Sequence, residues 1–161
     1  MTEKQIFLKA WEREYETNLA VLGAIPTDIL DLKPTERSRS PKEIAWTIVA
    51  EERELIGGGV AGIVNLKPGP KAPSTLPEII SSYKRIHEET LERVKASSDA
   101  DFEKPVKGFA PTKKLGDPRR ADALWSALID TVQNRGQLSA YLNMVGATSP
   151  SGTYIPIQFE K

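Results

Sequence analysis

The chain contains no cysteine, so disulfides, a thiolate nucleophile and Cys-ligated zinc are all excluded. Any thiol chemistry would have to use a thiol carried by the substrate. Charge of one sign is missing too: Lys plus Arg and Asp plus Glu both total 22. Without excess basic charge there is no net field to hold a phosphate backbone or an anionic membrane, and nucleic acid is not an expected partner. No apolar run reaches the ~20 residues that a bilayer requires, so a membrane role is not expected either. The N-terminus alternates charged and apolar residues and lacks a signal-peptide core, which makes the cytoplasm the expected location. Histidine occurs once, at position 87.

What is present suits one helical domain. A chain of 161 residues with ordinary apolar content can bury a single core, and residues 1–161 are expected to form one domain. Four long segments show helical periodicity, and most Pro and Gly lie between them, which predicts an all-α four-helix bundle. The first helix, residues 2 to 23, places Phe7, Trp11, Tyr15, Leu19 and Leu22 on one side, where Glu14 and Asn18 intrude. In the connector that follows, Ile29, Leu30 and Leu32 can pack. The second helix starts at a capping box of Ser40 and Glu43 with Pro41 at its first position. It is expected to run to about Leu55-Ile56, where Gly57-Gly58-Gly59 would weaken or end it. The stretch from Lys67 to Pro73 reads as loop.

The third helix begins at Thr75, with Glu78 completing a capping box, and its apolar arc is Ile79, Ile80, Tyr83, Ile86, Leu91 and Val94. Residues 97 to 120 hold too much Pro, Gly and charge for a regular element; connections of this length often cover a site or cross the bundle. The fourth helix, from about Ala121, is expected to pack through Leu124, Trp125, Leu128, Ile129, Val132, Leu138 and Leu142, with Gly146 as its C-cap.

Two polar stripes interrupt this pattern. At about 100° per residue, Thr47, Glu51 and Glu54 line up on the second helix, and Asp130, Asn134, Gln137 and Tyr141 on the fourth. Periodicity alone favours solvated helix edges for both. His87 falls within the apolar arc of the third helix. Either it is a core histidine bonded to a neighbouring carboxylate or backbone group, or it faces a pocket, paired with Glu14, Glu51 or Asp130, and serves as a base. Gly136 costs helix propensity, so close approach by another backbone or a ring is expected there. Arg135 can cap a loop carbonyl or pair with an acidic side chain. Trp11, Trp46 and Trp125 suit a core or a dimer interface better than a ligand cage.

Several short motifs occur in order: Leu32-Lys33-Pro34, Ser38-Arg39-Ser40, Glu43-Ile44-Ala45-Trp46-Thr47-Ile48, Asn134-Arg135-Gly136-Gln137-Leu138, and a tail from Gly146 to Pro156. Together they resemble the DinB-like four-helix proteins, whose fourth helix carries His-x-x-x-His-Arg-Gly-Gln. The resemblance implies up-down-down-up topology and a divalent-metal pocket between the second and fourth helices, where three His hold nickel, zinc or iron. Carried over, those ligand positions fall on Thr47, Asp130 and Asn134. A hydroxyl and an amide are weak donors beside imidazole, so no tight metal or other cofactor is expected; a weaker magnesium, calcium or manganese site would draw on Asp130 and Glu51, with Glu14 as an optional third group.

Members with the intact triad are thought to act as metal-dependent transferases or isomerases using small thiols, or as hydrolase-like enzymes, but fold alone does not transmit activity. The first expectation is therefore a DinB-like protein without the usual metal, which keeps a small polar pocket (Thr47, Glu51, His87, Asp130, Asn134, Gln137, Tyr141) for a small-molecule ligand and forms a homodimer. One alternative is an enzyme of the thiol transferase or hydrolase class that uses an oxygen-ligated metal or His87 acid/base chemistry. The other is a dimeric interaction scaffold.

Overall fold

Helix boundaries follow the capping residues closely. The computed structural model describes residues 1–65, 69–109 and 117–150. Helix α1 (Glu3–Gly23) starts at a capping box of Thr2 and Gln5, and α2 (Pro41–Glu51) at that of Ser40 and Glu43. Helix α4 (Leu76–Ala96) starts at Thr75 and Glu78. Helix α6 (Arg120–Met144) ends in a Schellman turn: Gly146, at φ +72°, donates to Asn143 O at 3.2 Å and Ala147 to Leu142 O at 2.9 Å. Each device satisfies backbone groups that a helix end leaves orphaned.

Two stretches depart from the sequence expectation. The glycine run does not end the second helix: the chain passes through a π-helical turn, Glu52–Ile56, into a short helix α3 (Gly57–Ala61), which stops at left-handed Gly62. Packing offsets the ~1 kcal/mol per residue that glycine costs a helix, because the missing side chains admit neighbours. A Cβ on Gly58 would lie only 2.7 Å from the carbonyl oxygen of Ile63, and one on Gly59 3.2 Å from Leu124, whereas one on Gly57 would meet Thr90 at an ordinary 3.6 Å. Secondly, the connection before α6 contains a one-turn helix α5 (Asp99–Phe102), capped by Ser98 and Asp101. It buries Phe102 against Phe7, and single β-bridges join Ile63 to Lys107 and Pro105 to Arg119. The tail motif beyond Pro150 lies outside the described residues.

Side-chain contacts give the helix directions. Trp11 meets His87 and Tyr15 meets Tyr83, so α1 and α4 run antiparallel. Phe7 meets Trp125 while Glu14 meets Arg135, so α1 and α6 run parallel. Glu51 reaches Asn134 and Arg39 reaches Gln137, which makes α2 and α6 antiparallel. The result is an all-α bundle in up-down-down-up order. Among the described residues no helix is long and apolar enough to cross a membrane.

The interior is layered. One apolar cluster contains Val21, Leu22, Ile44, Ile48, Ile79 and Leu142; the other contains Phe7, Trp11, Ile56, Val94, Leu124 and Leu128. Along every long helix the residues between these clusters include buried polar ones: Glu14 and Asn18, Glu52, His87 and Thr90, then Thr131, Asn134 and Arg135. Ile129, expected in the core, is 56% exposed. Leu32 and Gly136 are likewise exposed, and nothing lies within 4 Å of a Cβ placed on Gly136, so the expected close approach at that glycine does not occur.

Candidate functional site

The polar layer separates into an outer network on the α2–α6 edge and an inner one at the bundle centre. The outer network is organised by Arg39, just before the N-cap of α2. Its Nη2 donates to Asn134 Oδ1 at 2.7 Å and Gln137 Oε1 at 2.8 Å, and its Nη1 to Thr47 Oγ1 at 3.4 Å. Tyr141 fixes the start of this segment by donating its hydroxyl to Arg39 O at 2.5 Å. On the far side of Asn134, Nδ2 donates to Glu51 Oε1 at 2.7 Å, and Thr131 donates to Glu51 Oε2 at 3.1 Å. Burial raises the Glu51 carboxyl to about 7, against the opposing effect of the Thr131 hydrogen bond; Asp130 adds to the rise, and Arg39 and Asn134 oppose it.

Five of the seven residues singled out from the sequence therefore meet: Thr47, Glu51, Asn134, Gln137 and Tyr141. Asp130 is exposed at the margin, and what it gives the network is its backbone carbonyl, which accepts from Asn134 Nδ2 at 3.2 Å. His87 lies apart, in the inner network.

The donor set does not fit a divalent metal. The amide oxygen of Asn134 is engaged by a guanidinium, the Thr47 hydroxyl donates to Glu43 O at 2.8 Å, and a fixed positive charge beside two of the three positions opposes any cation. No cluster of three His, Cys, Asp or Glu among the described residues is arranged to hold a metal. Of the groups named for a weaker oxygen site, Glu14 is committed elsewhere: it accepts from Arg135 Nη1 at 2.5 Å inside the bundle.

Two clefts flank this network. One, of about 410 Å³, has Arg37, Arg39, Gln137 and Tyr141 on its polar side and Ile44 and Met144 on its apolar side. A smaller one, of about 190 Å³, is bordered by Thr47, Glu51, Arg53 and Leu55.

The inner network centres on Glu52, which is 1% exposed. Trp11 Nε1 donates to its Oε2 at 3.1 Å and His87 Nδ1 to its Oε1 at 2.6 Å. Tyr15 stacks on the His87 ring at 3.6 Å, with the planes 5° apart. Next to it, Arg135 bridges Glu14 and Asn18, and Asn18 donates to the Tyr83 hydroxyl at 3.0 Å. Tyr83 is held well above its usual pKa by burial and by the nearby Glu52. Glu52 lies outside the Thr47–Glu51 stripe, so the sequence pattern used for that stripe misses it. Its spacing from Ala45, Ile48, Val49 and Ile56 puts it on the apolar face, and an acid at such a position is the signal that could have found it.

The chain belongs to the DinB superfamily, whose family model matches residues 10–138. Among solved structures it is similar to a DinB-like protein from Bacillus cereus, with a TM-score of 0.75 at 19% identity over 92% of this chain and 95% of that one. A DinB-like protein from Bacillus subtilis gives a TM-score of 0.70 at 15% identity, over 88% of this chain and 93% of that one. These likenesses show the fold. No protein of curated function matches the sequence.

Proposed function

We propose that this DinB superfamily protein works without the family's divalent metal and binds a small amphipathic anion, such as a carboxylate with an apolar body, in the cleft beside Arg39. The observation that carries this is the bonding of the Arg39 guanidinium. All its hydrogen bonds run to neutral oxygens, and no carboxylate among the described residues reaches ion-pair distance of it. Glu51, one amide away, is held partly protonated by burial, so it offsets only part of the charge. An arginine held in place by neutral acceptors keeps its charge and remaining N–H donors for a ligand, and its planar fork suits a carboxylate. Arg37 adds a second positive charge on the same cleft, and the exposed Pro34 and Met144 offer apolar surface to the ligand's body.

Thermal melting with hexanoate and with hexylamine tests this. A ligand that binds the native state raises stability by mass action, so hexanoate should raise the melting temperature and hexylamine should not. Arg37→Gln should weaken the hexanoate effect about threefold to tenfold, as expected for one exposed charge on a small anion. Equal responses to the two probes, or no response to hexanoate, would contradict the proposal.

A further inference from the structure

A third cleft, of about 450 Å³, opens on the α1–α4 edge, where His87 meets Tyr15, Glu12, Arg13, Glu16 and Glu88. His87 is 3% exposed, yet only one of its ring nitrogens is committed. Nδ1 donates to Glu52, while among the described residues Nε2 has no hydrogen-bond partner and is not one of the sealed, unsatisfied atoms. A carboxylate that accepts from Nδ1 fixes the neutral tautomer so that Nε2 carries the lone pair, and it stabilises the imidazolium formed when Nε2 takes a proton. The site is firmly built: Trp11 anchors the other oxygen of Glu52, Tyr15 covers the ring face, and Glu52 opens the π-helical turn, a departure from α geometry often found at functional positions.

The lip of this cleft is negative. Arg13 lies 3.9 Å from Glu14 and Lys95 4.0 Å from Glu12, whereas Glu16 and Glu88 have no ion-pair partner among the described residues. The Tyr15 phenol is raised above its usual value by burial first, then by the charges of Glu16, Glu88 and Glu52.

We propose that this cleft is an acid–base site for a small molecule bearing an ammonium group, which Glu16 and Glu88 hold while His87 Nε2 acts as general base. Water at Nε2 gives its proton to the ring as its oxygen adds to an electrophilic carbon of the ligand. The bond to the leaving group then breaks, and the proton passes from Nε2 to that group. No metal or redox partner is consumed. The site lies on the opposite edge of the bundle from the Arg39 cleft and stands independently of it.

The probe is p-nitrophenyl glycinate, with p-nitrophenyl acetate as the uncharged control. Protein should hydrolyse the glycinate about a hundredfold faster than free imidazole at equal concentration, the scale of general-base catalysis. The pH profile should follow the His87 titration seen by NMR, with Glu52, Tyr15, Tyr83, Glu12, Arg13, Glu16 and Glu88 as the titratable and charged groups around the ring. His87→Gln should abolish the excess. The paired exposed changes Glu16→Gln and Glu88→Gln, which leave the core intact, should cut the preference for glycinate over acetate about fivefold. A rate no greater than that of free imidazole, a preference unchanged in the Glu16 and Glu88 variant, or an NMR tautomer with the proton on Nε2 in the neutral ring would overturn the proposal.

Discussion

Glu51 sets a pH dependence that can be measured at a single residue. An ordinary glutamate has lost its proton well below pH 7, whereas Glu51 keeps its proton up to about pH 7. Between about 4.5 and 7 the native state thus holds a proton that the unfolded chain has released, and stability falls as pH rises through that window, levelling off above it. A fully buried carboxyl would lose ~1.4 kcal/mol for each tenfold fall in proton concentration across the window. Because Glu51 is partly exposed, its total loss should be smaller, about 1–2 kcal/mol. Urea denaturation at pH 5 and pH 8 should show it, and Glu51→Gln should flatten the difference. The Glu14–Arg135 pair makes a second case. Removing either partner leaves the other charge buried, so Glu14→Leu or Arg135→Met should each cost about 3–5 kcal/mol, and the double change clearly less than their sum. A cycle that is simply additive would mean the two side chains do not interact.

At the scale of elements, glycines that look alike in the sequence should respond with opposite sign. Gly136 sits in α6 with open space where a Cβ would go, so Gly136→Ala should raise stability by about 1 kcal/mol through helix propensity. At Gly58 a Cβ would lie 2.7 Å from the carbonyl oxygen of Ile63, and Gly58→Ala should lower stability by about 1–3 kcal/mol. Thermal melts of the two variants decide both.

The same contrast marks what the sequence can disclose. The starts of α2 and α4 are legible because a capping box is a local device, written in residues three apart. The continuation through Gly57–Ala61 is not, because Thr90 and Leu124, which pack on those glycines, lie far away in the chain. The α2–α6 stripes are legible as stripes, and the resemblance to the family aligns them. That Arg39 reaches across to Asn134 and Gln137, 95 and 98 residues away, depends on how the segment before α2 folds back, for which no spacing rule exists.

For the whole molecule, the two apolar clusters and the polar layer between them explain how the bundle tolerates so many buried charges: Glu14 is answered by Arg135 and Glu52 by His87 and Trp11. Under the proposed metal-free reading, the positive charge beside Thr47 and Asn134 is that of Arg39, tethered to the chain and bonded to both. Isothermal titration of the protein with nickel and with zinc tests this most directly. Neither ion should bind at one equivalent per chain or raise the melting temperature; tight binding of one equivalent that disappears in Asn134→Ala would contradict it.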